Sequence, residues 1–357
     1  MLGRLFKLKS PPLIGLDISA SSVKMVELVA AMRGEPCLQS YAIEPLPKDA
    51  VLDGNIANLD VTTEVIRRCY KRLGTRTRNV AMALPTAAVI TKKINCAAGL
   101  NDEELQEAVE AEAIQYIPFA LDEVNLDYQV LGPAADGPEM VEVLLAASRK
   151  EKVEDRIAAA EGAGLIGLLM DVEAYAMQAA FSLIRPRLPA QARDQNVAIV
   201  DIGSNTTHIS VIRGDESIYS REQAFGGNQL NQDIQRLYGL SLDEAESAKK
   251  SGGLPVSYFS EVVEPFMENA AVEIQRALQF FVSSTEYNRV EHIVLAGGCA
   301  TLPGLETVVA NQTRVATLVA NPFAKMQISS KMQLKRLLAD SPALMIACGL
   351  AMRRFDA

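Results

Sequence analysis

A chain of 357 residues, 49% of them hydrophobic and 22% charged, is long enough for about two domains of ordinary size and too apolar to be mainly disordered. A net charge of −9 argues against a nucleic-acid-binding body, because neutralising phosphates needs a basic surface. Two histidines exclude a histidine-rich metal site, and five scattered cysteines without a CxxC pair fit the reduced thiols of a cytoplasmic protein.

The predicted elements start after a short basic segment, MLGRLFKLK. Asp17 interrupts the apolar run behind it, so it does not read as a signal peptide. Residues 13–28, LIGLDISASSVKMVEL, give an apolar strand, Asp17, a turn of small and hydroxyl residues, and an alternating return strand carrying Lys24. Arg67, Arg68, Lys71, Arg72, Arg76 and Arg78 then fall together without an acid: a solvated face, or a surface for anionic lipid or an acidic partner. Strands are predicted at 79–85 and 89–94. A helix follows over 101–116, with Asn101 or Asp102 as cap, acids in its first turn, apolar residues at helical spacing and Pro118 as its stop. Paired strands at 124–131 and 140–147 flank the loop GPAADGPE. A helix over 149–162, a strand over 165–170 and a helix over 172–184 complete the first half, and the proline-containing stretch 185–195 reads as a boundary.

Residues 198–212, AIVDIGSNTTHISVI, echo the start of the chain. Aligning Asp17 on Asp201 sets Ser19 on Gly203 and Ser22 on Thr206, and places His208, to which no role is given, at the offset of Lys24. Gly226-Gly227, helices over 228–238, 242–251 and 258–288, a strand over 293–296, the run Gly297-Gly298-Cys299-Ala300 and a closing helix over 342–354 follow. The predicted division is 1–78 for the body of a first domain, 79–150 for an α+β insertion, 151–190 for the rest of the first domain, 196–335 for a second domain, and 336–357 for a helix returning to the first.

Turns rich in Gly, Ser and Thr expose N–H groups that can cradle phosphate. A leading carboxylate repels phosphate but suits Mg²⁺ held through its waters. Singly, each hairpin is an ordinary turn; two copies, one opening each half, can face one nucleotide across a cleft. Lys24 reads as a point charge for a phosphate oxygen or as a surface lysine. Glu246, Lys249 and Lys250 at helical spacing are, alone, a solvated helix with an ion pair.

Together these segments resemble the actin-like ATPase superfamily of actin, MreB, FtsA and the Hsp70 nucleotide domain, in order and over nearly the whole chain. The resemblance implies an α/β fold of two homologous domains with a nucleotide cleft between them and an FtsA-type α+β subdomain inserted in the first. It implies ATP and Mg²⁺ as ligands. Ser19, Ser21, Ser22, Lys24, Gly203, Ser204, Asn205, Thr206, Gly226 and Gly227 would bind phosphate. Glu246, Lys249, Lys250, Gly297, Gly298 and Ala300 would bind adenosine. Asp17 and Asp201 would hold the metal through water, and Glu173 would orient attacking water. Residues 13–28 and 98–131 resemble, more narrowly, the PilM family of cytoplasmic actin-like proteins of type IV pilus assembly. That likeness implies an ATP-binding scaffold at the cytoplasmic face of the inner membrane, with at most slow ATPase activity. The N-terminal cytoplasmic tail of PilN would lie in a groove beside the insertion. Pilus motor ATPases, the PilC platform and self-association are further expected contacts; nucleic acid is not. The alternative is a hydrolysing or filament-forming FtsA/MreB-like ATPase. A membrane-binding FtsA type would carry a C-terminal amphipathic anchor, which RRFDA does not supply. Ser19 departs from the glycine usual in the first phosphate turn, which is expected to cost conformational freedom there.

Overall fold

The computed structural model describes residues 11–31, 34–134, 137–189, 194–330 and 332–356, without the side chains of Asp243, Lys250 and Ser251. The basic segment at the start of the chain and residues 190–193 of the expected boundary lie outside the described residues.

In chain order, β1 (Ile14–Ile18), β2 (Ser22–Ala30) and β3 (Pro36–Pro45) form an antiparallel meander. The two-residue strands β4 (Val51–Leu52) and β5 (Asn55–Ile56), helix α1 (Leu59–Leu73) and β6 (Asn79–Leu84) follow. The chain then makes an excursion through β7 (Ile90–Ala97), α2 (Asp102–Ala113), β8 (Val124–Ala134) and β9 (Gly137–Arg149), and returns through α3 (Lys150–Gly162), β10 (Ile166–Val172) and α4 (Glu173–Ile184). A second meander, β11 (Val197–Ile202), β12 (Thr207–Arg213) and β13 (Glu216–Gln223), leads into α5 (Asn228–Tyr238) and α6 (Leu242–Ser251). After a π-helical turn at Phe259–Val263 come α7 (Glu264–Ser284), β14 (His292–Ala296), α8 (Leu305–Thr313), β15 (Ala316–Val319), β16 (Gln327–Ile328), α9 (Leu334–Asp340) and α10 (Met345–Met352).

The two main sheets repeat one plan. The first runs β10-β6-β1-β2-β3-β16, and the second, read from its far edge, β15-β14-β11-β12-β13. In each, the opening strand pairs antiparallel with its hairpin partner and parallel with a later strand: β1 with β6, β11 with β14. Both opening strands are buried, parallel to one neighbour and, through the hairpin, antiparallel to the other.

The excursion forms its own sheet, β7-β9-β8. Val109, Ala113 and Ile117 pack on Ile94, Val143 and Leu145 there. Asn101 caps α2 with its side chain on the Glu104 N–H, and Glu104 answers on the Asn101 N–H, a full capping box.

α4 and α10 lie in one apolar core with strands of both main sheets: Met177, Phe181, Ala347 and Cys348 meet Val26 and Leu28 on one side and Ile199 and Val294 on the other. Contact is close because two glycines lack a side chain. A Cβ on Gly349 would sit 1.7 Å from the Ala176 carbonyl oxygen, and one on Gly15 would sit 1.9 Å from that of Ala347. The outer faces of the two sheets are covered separately, by α1 and α3 on the first and by α5, α7 and α8 on the second.

The single helix expected over 258–288 is instead a π-turn followed by a shorter α7, with Pro265 at its start removing one backbone donor. β3, α1, β13, α8, β15 and α9 were not anticipated.

Gly349→Ala should lower stability by about 1–3 kcal/mol or more through overpacking against Ala176. Denaturant unfolding checks this, and an unchanged midpoint would contradict the backbone contact between α4 and α10.

Candidate functional site

The two hairpins close in the same way. The Ser19 N–H donates to the Ser22 carbonyl at 3.0 Å, and the Gly203 N–H to that of Thr206 at 2.9 Å. Register sets Asp17 opposite Lys24, and Asp201 opposite His208. Directly paired residues share a sheet face. The Lys24 ammonium accordingly reaches Asp17 Oδ2 at 2.8 Å and also donates to Ser19 Oγ at 2.9 Å. Both Asp17 and Lys24 are buried. His208 instead shares a 2.9 Å hydrogen bond with Ser220, and burial holds its pKa below the usual value.

The conformational objection to Ser19 is overturned. Neither Ser19 nor Gly203 has a positive φ, so this turn does not demand glycine. The Ser19 hydroxyl tightens the turn by donating to the Ser22 carbonyl at 2.9 Å. Ser21, Asn205 and Thr206 are exposed at the tips of the two turns, with Ser22 and Ser204 half-buried beside them.

Glu173 opens α4, and neither it nor Asp201 has a hydrogen-bond or ion-pair partner among the described residues. Burial pushes the Glu173 carboxyl up to about 7; Asp17 and Asp201 raise it further, while Arg156 and Lys24 oppose. The position at a helix N-terminus favours the anion, so burial outweighs it. Burial likewise pushes Asp201 up to about 6, opposed by Lys24 and reinforced by Asp17. These mutual effects put Asp17, Lys24, Glu173 and Asp201 in one electrostatic neighbourhood, fed by both hairpins.

Around the second turn, glycines permit backbone contact. The Gly227 N–H donates to the Gly203 carbonyl at 2.9 Å, and a Cβ on Gly226 would lie 2.6 Å from the Ser204 backbone. Gly297, at φ +85°, lies so close to the second hairpin that a Cβ there would meet Asp201 Oδ1 at 2.4 Å. Gly298 is exposed, with nothing near its missing Cβ, and Ala300 is buried. Lys249 donates to Glu246 Oε1 at 2.9 Å. The Lys250 side chain lies outside the described residues.

Three residues that the sequence did not flag join these parts. Asn231, on α5, donates to Glu246 Oε1 at 2.6 Å and accepts from Lys249, tying α5 to α6. Cys299 contacts the Gly203 carbonyl, and its thiol is pushed up to about 11 by burial, so it is no nucleophile. Arg156, 2% exposed, donates to the Ile18 carbonyl beside the first turn and to the Gly54 carbonyl. Asn231 and Arg156 stand in no local motif, and only the fold brings them to the site; Cys299 lies within the run Gly297-Gly298-Cys299-Ala300, without a role assigned from the sequence.

No three His, Cys, Asp or Glu side chains among the described residues gather closely enough to hold a metal directly. The carboxylates fit an ion that keeps its waters: Asp201 is unpaired, Glu173 stands near it, and Asp17 is already matched by Lys24. The exposed hydroxyl-rich tips and the open side of Gly298 fit a phosphate chain and a flat group beside it.

The family described as type IV pilus assembly protein PilM matches residues 15–355. A solved structure titled PilM-PilN type IV pilus biogenesis complex superposes with a TM-score of 0.80 at 29% identity, covering 98% of this chain and 100% of that one. Cell division protein FtsA of Bacillus subtilis is 23% identical over 348 residues, 85% of this chain and 78% of its own. MreB 5 of Spiroplasma citri bound to AMPPNP shares the fold, with a TM-score of 0.50 at 14% identity over 97% of this chain and 96% of its own. The fold is the actin-like ATPase fold, in mixed α/β form.

Glu173 makes stability depend on pH. Its carboxyl binds a proton more tightly in the folded than in the unfolded chain, so ionisation penalises the fold. The penalty is absent below 4.5, grows as pH rises, and is complete above about 7. Glu173→Gln should therefore stabilise the protein by on the order of 1–3 kcal/mol above pH ~8 and have no effect near pH ~4. Denaturant unfolding at both pH values checks this; equal increments would contradict a raised pKa for this half-buried carboxyl.

Proposed function

Because this chain belongs to the PilM family of type IV pilus assembly proteins, we propose that it is an ATP-binding cytoplasmic scaffold of the inner-membrane pilus assembly complex. It docks on the N-terminal cytoplasmic tail of PilN and connects it to the pilus motor ATPases and the PilC platform. The observation that carries the nucleotide part is the pair of matching hairpins whose aspartates are near enough to influence one another's ionisation. The likeness to a PilM-PilN complex supports PilN as the partner.

In this reading the turns Ser19–Ser22 and Gly203–Thr206 and the pair Gly226-Gly227 bind phosphates. Gly297, Gly298, Ala300 and the Glu246–Lys249 pair border adenosine. Asp201 and Asp17 face the waters of Mg²⁺, which would screen the phosphates from the acids. Lys24 is held by Asp17 and Ser19, so its charge reaches phosphate only if that pairing loosens. The PilN tail lies beside the β7-β9-β8 sheet.

A second reading, a hydrolysing ATPase, rests on Glu173. A carboxyl near neutrality beside the phosphate turns is poised to take a proton from water. Steady turnover near ~1 s⁻¹, the low end of ordinary enzymes, would favour it.

Asp201→Ala should weaken Mg²⁺-dependent ATP binding about tenfold or more while the fold persists, since the Asp201 carboxylate has no hydrogen-bond or ion-pair partner to lose among the described residues. Asp17→Ala is a poorer probe. It strands the buried Lys24 ammonium and should itself cost about 3–5 kcal/mol of stability. Calorimetric titration with ATP, with and without Mg²⁺, checks both, and unchanged affinity in Asp201→Ala would overturn the metal role. Titrating a PilN N-terminal peptide with and without ATP tests the partner. If closure moves the inserted sheet, each ligand should change the other's affinity by the same factor, typically ~5–150-fold. Equal affinities would leave ATP as a static ligand.

A further inference from the structure

The basic cluster between residues 67 and 78 is not used by the nucleotide site. All six of its cations are exposed. Arg67 pairs with Glu64 and Arg72 with Glu44. Arg68, Lys71, Arg76 and Arg78 have no carboxylate partner among the described residues, in a chain whose net charge is −9. They line the last turns of α1 and the link from it into β6.

Two further features lie at the same end of the first sheet. The Arg78 carbonyl accepts from the Ile166 N–H, which places the open edge strand β10 beside the cluster. On that strand Ile166 is 52% and Leu168 53% exposed. Asn79 donates to the Pro12 carbonyl, so the chain enters the sheet here too. Immediately upstream in sequence stand Arg4, Lys7 and Lys9, interleaved with Leu2, Leu5, Phe6 and Leu8. No helix among the described residues is long and apolar enough to cross a membrane.

We propose that this end of the first sheet, Arg68, Lys71, Arg76 and Arg78 with Ile166 and Leu168, is a contact surface for an anionic lipid bilayer. Unpaired basic side chains are attracted to lipid phosphates, and aliphatic side chains among them gain by entering the headgroup layer. An acidic protein surface would use the cations but gives no reason for bare aliphatic residues on an open edge. The orientation also fits. Asp17 and the first phosphate turn lie at the opposite end of β1 from Ile14, which pairs beside this surface, so the cleft stays open to the solvent when the sheet end meets lipid. The surface extends the proposed placement at the inner membrane and is independent of the nucleotide reading.

The full chain, without nucleotide or PilN, should cosediment with phosphatidylcholine vesicles containing phosphatidylglycerol about tenfold more strongly than with phosphatidylcholine alone, and high salt should abolish the difference. Combined R68E, K71E, R76E and R78E should weaken that binding about tenfold or more. I166S with L168S should weaken it at low salt without changing its salt dependence. Circular dichroism and a melting curve verify that each variant is folded. A fourth variant, R4S with K7S and K9S, separates the upstream segment. If it alone loses binding while the charge reversal does not, the assignment to the sheet end is overturned. Absence of vesicle binding, the outcome expected for an acidic protein occupant, overturns it as well.

Discussion

The structure depends on α4 and α10 meeting without side chains between them. Gly349 lets α10 touch the Ala176 backbone, and Gly15 lets the same helix touch β1. The pair is packed against both sheets, so its geometry sets how the halves face each other. Glu173 begins α4, and the Pro342 carbonyl, just before α10, accepts from the Gly297 N–H beside Asp201. The packed helices thus carry parts of the cleft on their own ends, and a change in their packing reaches the hairpins directly.

The charges around the two hairpins are not balanced within the protein. Asp17, Asp201 and Glu173 stand near one another, against Lys24 and Arg156. Lys24 is committed to Asp17, and Arg156 donates to two backbone carbonyls. Two carboxyls, Glu173 and Asp201, are left without a hydrogen-bonded partner among the described residues, and desolvation raises both. A structural network would pair such groups, since a lone buried charge costs more than a paired one returns. Displaced carboxyls beside exposed turn hydroxyls are what a binding site leaves for its ligand to complete.

Legibility followed the range of the interactions. Each hairpin is encoded locally, by alternation, an aspartate and a small-residue turn, and its repetition made the duplication visible in the sequence. α2 was legible through its cap and Pro118. β13, with the sequence ESIYSREQ, is a mostly exposed edge strand, so burial leaves no apolar alternation to read. α8 contains the β-branched run TVV and was masked by weak helix propensity; packing of Leu305 and Val309 decides it. Lys24 reads from the sequence as a phosphate contact or a surface lysine, whereas register and burial commit it to Asp17. Asn231 and Arg156 carry no local signal, because their partners are distant in sequence and appear only when helices dock.

The duplication also accounts for the differences between its copies. On the same frame, the first hairpin places a lysine opposite its aspartate and the second a histidine that burial keeps neutral near pH 7. The first aspartate is therefore balanced from within and the second is not. A phosphate chain between the turns would meet a neutral pair on one side and an excess negative charge on the other. That asymmetry, rather than the shared fold, is what a cation beside Asp201 would offset in the proposed reading. A nucleotide would gain leverage on closure only through contacts stronger in the closed than in the open arrangement. A cation held beside Asp201 against a nucleotide on the first half would be such a contact, whereas the Lys24–Asp17 pair, made wholly within the first hairpin, is not.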